Sequence, residues 1–173
     1  MLKLALIGLI ASIVACNNIT NRKEQLADTT TTIDLSNTIQ QKIIVDELKM
    51  GIGKTVTEVH WLDSSVITAR LKKLMADDYS KMLKSWNVET PITKQGNILH
   101  ASGCKKHNCP SDSYDLFVDL KNDDINVYNI KGHKLVIYKE RDVPIELTGE
   151  LFQEMDTKKI NADIKSASYK RYR

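Results

Sequence analysis

Residues 113–139 read SYDLFVDLKNDDINVYNIKGHKLVIYK, and this stretch decides the fold. Apolar and polar residues alternate within it in three runs, at 113–120, 125–130 and 133–139. In the first run Tyr114, Leu116 and Val118 fall on one face, as period-two alternation in a β-strand requires. Turn-forming residues separate the runs, the clearest being Asn-Asp-Asp at 122–124. These short connections predict an antiparallel meander.

Helical patterns lie on both sides of the predicted strands. From Leu71 to Trp86 the apolar residues follow one another at spacings of 3, 1, 4, 3, 1 and 3, which is typical of a helix with one packing face. A second, shorter helix is predicted at 148–159. We therefore predict an α+β domain over residues 43–173, in which one principal helix packs on a small antiparallel β-sheet.

The charge balance and the histidines limit the classes of function. The 173 residues include 25 Lys and Arg against 22 Asp and Glu, a net charge of +3, which excludes a nucleic-acid partner on bulk charge. His60, His100 and His133 are isolated in the sequence, without a nucleophile motif or a paired-carboxylate motif. We therefore predict a protein that is not an enzyme and needs no cofactor.

The N-terminus has the pattern of an export signal. Residues 1–16 read MLKLALIGLIASIVAC, in which the uncharged run at 4–14 is too short to span a bilayer. Residues 13–16, Ile-Val-Ala-Cys, resemble the bacterial lipobox, whose cysteine is acylated before the signal is cleaved. This predicts a signal peptide at 1–15 and an outer-membrane lipoprotein held in the bilayer by acylated Cys16. The alternative is an ordinary signal peptide in which Cys16 is coincidental.

Residues 16–42 are predicted to form a flexible tether between the lipid and the domain. They contain four consecutive Thr residues at 29–32, several Asn and Gln residues, and no strong apolar period. The alternative is an ordered N-terminal extension of the domain.

The other two cysteines follow a predicted strand at 96–102. In an oxidising compartment Cys104 and Cys109 should form a disulfide that closes a small loop. A second interpretation makes Cys104, His107 and Cys109 zinc ligands, with a distant His such as His100 as the fourth ligand. Both interpretations remain open on spacing alone.

The tip of this loop has an unusual concentration of positive charge. Lys105, Lys106 and His107 are followed by the neutral Asn108. A rigid cationic tip suits an acidic cleft such as that of a muramidase, where two carboxyl groups line a deep groove. The alternative is a disulfide-braced hairpin turn that has no partner.

The segment Cys104-Lys105-Lys106-His107-Asn108-Cys109 resembles the C-K-P-H-D-C loop of the Ivy family, which inhibits c-type lysozyme. The resemblance covers residues 64–140 and implies an antiparallel sheet with a helix, no enzymatic activity and insertion of the loop into the lysozyme active site. It implies that Cys104 and Cys109 are the bridging pair and that His107 contacts the catalytic carboxyl groups. Lys105 matches the family's loop Lys.

Two tip residues depart from the family's motif. Lys106 replaces a Pro that restrains φ, and Asn108 replaces an Asp that carries a negative charge. The resemblance predicts a c-type lysozyme or a related muramidase as the partner. The departures leave a second function open, in which the same fold is an envelope binding module for a different target.

Overall fold

The computed structural model describes the backbone of residues 28–109, 111–164 and 169–171, and the side chains of residues 35–109 and 111–164. The chain divides into two compact units, Met1–Ile39 and Gln40–Arg173. In the first unit the described backbone is helical. The second unit contains a mixed α+β fold, which confirms the predicted fold class.

A single sheet forms the centre of the second unit. Its strands are β1 (Val88–Glu89), β2 (Thr93–Gln95), β3 (Ile98–Cys104), β4 (Asp112–Asp119), β5 (Asp124–Lys131), β6 (Lys134–Lys139) and β7 (Tyr169–Arg171). The spatial order is β1-β3-β4-β5-β6-β7, with β2 also paired to β3. All pairings are antiparallel except β6 with β7. The predicted meander of three strands is therefore confirmed as β4, β5 and β6.

The helices are α1 (Asp28–Lys49), α2 (Val66–Met75), α3 (Asp78–Ser85) and α4 (Gly149–Asn161). The prediction of one principal helix before Trp86 is wrong in one respect, because the stripe is shared by α2 and α3. Ala76 has a φ of 47°, which a right-handed helix does not allow, and the chain turns there. The charges fit two helices, with Lys72 and Lys73 in the last turn of α2 and Asp78 in the first turn of α3.

Helix α1 covers much of the predicted tether. Residues 28–42 are helical where a flexible segment was predicted, and the helix continues to Lys49. The sequence of this segment does not predict the helix, because it has no apolar face with a helical period. The apolar residues Leu35 and Ile39 are exposed. The predicted signal peptide at 1–15 and the rest of the predicted tether at 16–27, which includes Cys16, lie outside the described residues. Among the described helices none has the length and apolar content to cross a bilayer.

The two faces of the sheet carry separate apolar cores. Tyr114, Leu116 and Val118 of β4 face α2 and α3, as the alternation predicts. Phe117 faces the other way, where Leu151 and Met155 of α4 cover the sheet. The sheet is thus enclosed between two helical layers, and its strand ends are left for the connecting loops.

Candidate functional site

The predicted inhibitory loop connects β3 to β4 at one end of the sheet. Cys104 and Cys109 form a disulfide, and their Cα atoms are 5.6 Å apart. Both sulfurs are bonded to each other, so the interpretation of these cysteines as zinc ligands is wrong. Residues 105–109 are all exposed to solvent. The loop is therefore a covalently closed projection from the sheet.

The backbone of the loop forms a tight turn with His107 near its apex. The Asn108 N–H donates to the Lys105 carbonyl at 2.9 Å, which places Lys106 and His107 at the two central positions. His107 has a φ of 65°, in the left-handed region where His is found more often than most residues. The Lys105 N–H also donates to the Asp112 carbonyl at 3.0 Å, which ties the turn to the start of β4.

An aromatic side chain supports the base of the loop. A Cβ atom on Gly103 would lie 2.2 Å from the ring of Trp86, so only glycine permits this approach. The Trp86 indole N–H donates to Glu89 at 3.1 Å, and the Asn87 N–H donates to the Cys104 carbonyl at 3.1 Å. The close packing of Trp86 on Gly103 therefore holds the backbone next to Cys104 firmly against the domain. No local pattern in the sequence marks Trp86 or Gly103 as a contributor to the site.

Two buried side chains lie under the loop. Asp112, at the first position of β4, is 6% exposed, and its Oδ1 has no hydrogen-bond partner in the described part of the chain. Burial, helped by the negative charges of Asp112 and Asp78, raises the pKa of Tyr114 to about 12. Tyr114 therefore keeps its hydroxyl proton at neutral pH.

His100 belongs to a buried polar cluster on the opposite face, beneath α4. The His100 Nε2 lies 2.9 Å from Asp115 Oδ1, and the imidazole stacks on Phe117 with ring centroids 4.7 Å apart. Lys158 of α4 donates to Asp115 at 2.5 Å and to Glu154 at 2.8 Å. The cluster therefore attaches α4 to the sheet through an ion pair, in addition to the apolar contacts of α4 with the sheet.

The charges of the cluster determine its protonation. Burial raises the pKa of Asp115, but the His100 hydrogen bond and the Lys158 charge outweigh it, so the pKa lies below its ordinary value. Burial lowers the pKa of Lys158, and the charges of Asp115 and Glu154 reverse this and leave the pKa raised. Asp115 and Lys158 are thus held as an ion pair.

The other two histidines lie elsewhere. His60 lies in the connection before α2 and is 3.2 Å from Asp63. His133 occupies the turn between β5 and β6, where its Nδ1–H donates to the Ala162 carbonyl at 2.8 Å. The structure brings neither of them into the loop or into the His100 cluster.

Comparison with known proteins identifies the family. The model of the family described as inhibitor of vertebrate lysozyme (Ivy) matches residues 66–160, which is more than half of the chain. A search of curated proteins found no match, and a search of solved structures found none either. The matched region contains α2, α3, the central strands, the disulfide loop and most of α4. On this match the chain belongs to the Ivy family of vertebrate lysozyme inhibitors.

Proposed function

We propose that this protein inhibits a c-type lysozyme or a related muramidase by inserting residues 105–108 into the active-site cleft. The family supports a lysozyme-inhibitor role, which is a binding function rather than an enzymatic one. The observation that carries the loop mechanism is the exposed, disulfide-closed turn with His107 near its apex. Muramidases present two carboxyl groups in a groove, which offers acceptors for an imidazole N–H.

Rigidity and charge have separate parts in this mechanism. The disulfide and the backbone bonds to Asp112 hold the tip before binding, so less conformational entropy is lost on insertion. His107 donates to a desolvated carboxylate inside the cleft. Lys105 and Lys106 are exposed on long side chains, and at the rim their charges accelerate association.

Inhibition of a purified c-type lysozyme by the mature chain tests the proposal. The matched variant is Cys104→Ser/Cys109→Ser, which should fold with a stability loss of about 2 kcal/mol because the ring is small. Its inhibition should be weaker by about 2–10-fold, since the tip must then be ordered on binding. Finding both thiols free in protein isolated from the cell envelope would contradict the proposal. Failure of the oxidised chain to inhibit would favour an envelope binding module with another target.

Compared with Lys106→Ala, the variant Lys106→Pro should stabilise the fold and inhibit lysozyme more tightly. A positive φ at His107 is typical of the third position of a type II turn, which favours Pro at the second. The Lys106 N–H donates to no acceptor among the described residues, so Pro removes no bond there. We expect a gain of about 0.4–1 kcal/mol in the free energy of unfolding, and inhibition about 2–5-fold tighter than that of Lys106→Ala, which also lacks the ammonium group. Weaker inhibition than that of Lys106→Ala would contradict the turn assignment.

We also propose that acylated Cys16 anchors the protein in the outer membrane. The support is the lipobox-like order of residues 13–16 after a short apolar run. Cys16→Ala should leave the chain uncleaved or soluble and without lipid, as measured by labelling with radioactive palmitate in cells. Lipid incorporation into the variant at the wild-type level would show that the anchoring assignment is wrong.

A further inference from the structure

We propose that a groove beside the disulfide loop binds an acidic saccharide, meaning a sugar ring that carries a carboxylate. The groove lies on the α3 side of β4, β5 and β6 and has a volume of about 640 Å³. This volume is in the range of small-molecule sites. The proposal is independent of lysozyme inhibition and adds a second binding site to the domain.

The groove exists because the helical layer stops before the ends of these strands. Tyr114, Asn129 and Val136 are cross-strand partners in one row of the sheet, and Tyr114 lies at the edge of the apolar core that α2 and α3 cover. Asn129 is 6% exposed and donates its amide to the Ser113 carbonyl at 3.0 Å. The buried Asn129 amide lies at the end of an otherwise apolar face of the sheet. The lining therefore changes there from apolar core side chains to polar groups that can bind a ligand.

Tyr114 forms the floor of the groove and has an unused hydroxyl. The residue is 3% exposed, and no side chain or carbonyl in the described ranges accepts a hydrogen bond from its phenol. The hydroxyl oxygen is accessible from the groove, so it can donate a hydrogen bond to an oxygen acceptor on a ligand. The raised pKa keeps this group a donor at neutral pH.

The rim of the groove favours one negative charge. Lys131 and Lys134 are directly opposite each other across the β5–β6 turn, and such like-charged pairs are unfavourable. Neither ammonium group lies within ion-pair distance of a carboxylate among the side chains described, and Lys131 acts on Asp78 only through its longer-range charge, which helps to lower the pKa of Asp78. A carboxylate between them would relieve the repulsion, which makes an anion the complementary ligand.

The remaining wall favours a sugar over an acidic peptide. Tyr138 donates its hydroxyl to Asp78 at 2.8 Å, and Lys81 also pairs with Asp78 at 2.5 Å. Asp78 is a fixed negative group that would repel a second carboxylate and accept hydrogen bonds from hydroxyl groups. The partly exposed ring of Tyr138 offers a flat apolar surface to the C–H face of a sugar. A saccharide with a single carboxylate satisfies all these groups.

Titration of the full mature chain with two disaccharides tests the site, with binding followed by calorimetry and by amide NMR shifts. The acidic probe is N-acetylglucosaminyl-N-acetylmuramic acid, and the neutral probe is di-N-acetylchitobiose, which lacks the lactyl carboxylate. We expect the acidic probe to bind at least about tenfold more tightly and to shift amides of β4–β6 near the groove. Equal binding of both probes, binding of neither, or tighter binding of a tri-glutamate peptide would overturn the proposal.

Variants locate the site. Lys131→Gln/Lys134→Gln should weaken acidic binding by about tenfold or more, whereas Lys94→Gln on exposed β2 should not. Tyr114→Phe should weaken binding by about 2–10-fold and leave the melting temperature unchanged, since the hydroxyl has no hydrogen-bond partner among the described residues. His107→Ala should bind the disaccharide normally. Loss of binding in His107→Ala, or wild-type binding in the Lys double variant, would assign the ligand to another surface.

Discussion

His107→Ala should weaken lysozyme inhibition by about 10–150-fold, measured as the inhibition constant against a c-type lysozyme. The imidazole is exposed near the apex of a closed turn, so it can reach a carboxylate in a cleft without disturbing the domain. A hydrogen bond to a charged, desolvated group contributes about 1.5–3 kcal/mol, which sets the range. The effect should persist at high salt because the contact is enclosed on binding.

The positive φ at His107 requires a second variant. Alanine in the left-handed region costs about 1 kcal/mol, so part of the His107→Ala effect could arise from a distorted turn. His107→Asn is the matched control, since Asn tolerates this conformation but has no imidazole. We expect both variants to lose inhibition. Wild-type inhibition by His107→Asn would show that the side chain is not the contact.

The two neighbouring lysines should respond differently. Lys105→Ala and Lys106→Ala should each reduce inhibition less than His107→Ala does, and the reduction should shrink at high salt. Association rates measured by stopped flow at two ionic strengths would check this. A salt-independent loss larger than that of His107→Ala would place the main contact on a lysine.

Lys158→Met should lower the free energy of unfolding by about 3–5 kcal/mol at neutral pH. The variant removes the ammonium group at 2.5 Å from Asp115, whose side chain is 0% exposed. The methionine keeps the apolar stem, so the loss comes from a buried carboxylate that has lost its ion-pair partner and retains the His100 hydrogen bond. Urea unfolding followed by circular dichroism would measure it. The double variant Asp115→Asn/Lys158→Met should recover much of the loss, because it leaves no buried charge.

The pH dependence distinguishes this mechanism from simple packing. The pKa of Asp115 is lowered in the folded protein, so its stabilisation is present above the unfolded value of about 3.9 and is lost as pH falls through the folded pKa. In Lys158→Met the carboxyl no longer has the charge and hydrogen bond of Lys158 to lower its pKa, so that pKa is higher than in the wild type and protonation at low pH removes the buried charge more readily. The difference between wild type and variant should therefore narrow below about pH 4. A difference that is constant from pH 7 to pH 3 would assign the loss to packing.

The sequence by itself determined the strands and the loop. Alternation at 113–139 placed Tyr114, Leu116 and Val118 on one face and so predicted β4, β5 and β6, because a strand's inside and outside depend only on neighbouring residues. The oxidising compartment that the export signal implies, together with the Ivy-like motif, predicted the disulfide of Cys104 and Cys109, whose ring closes locally. The export signal and Cys16 rest on the sequence alone.

Only the tertiary structure decided how these parts meet. The sequence pattern does not predict the break at Ala76, because α2 and α3 continue one apolar stripe. The two helices are distinguished only when both pack against the sheet. The contact of Trp86 with Gly103 and the cluster of His100, Asp115 and Lys158 join residues far apart in the chain. A local sequence pattern cannot predict these contacts between distant residues. Their interaction energies depend on burial and on neighbouring charges, which exist only after the sheet and α4 have packed together.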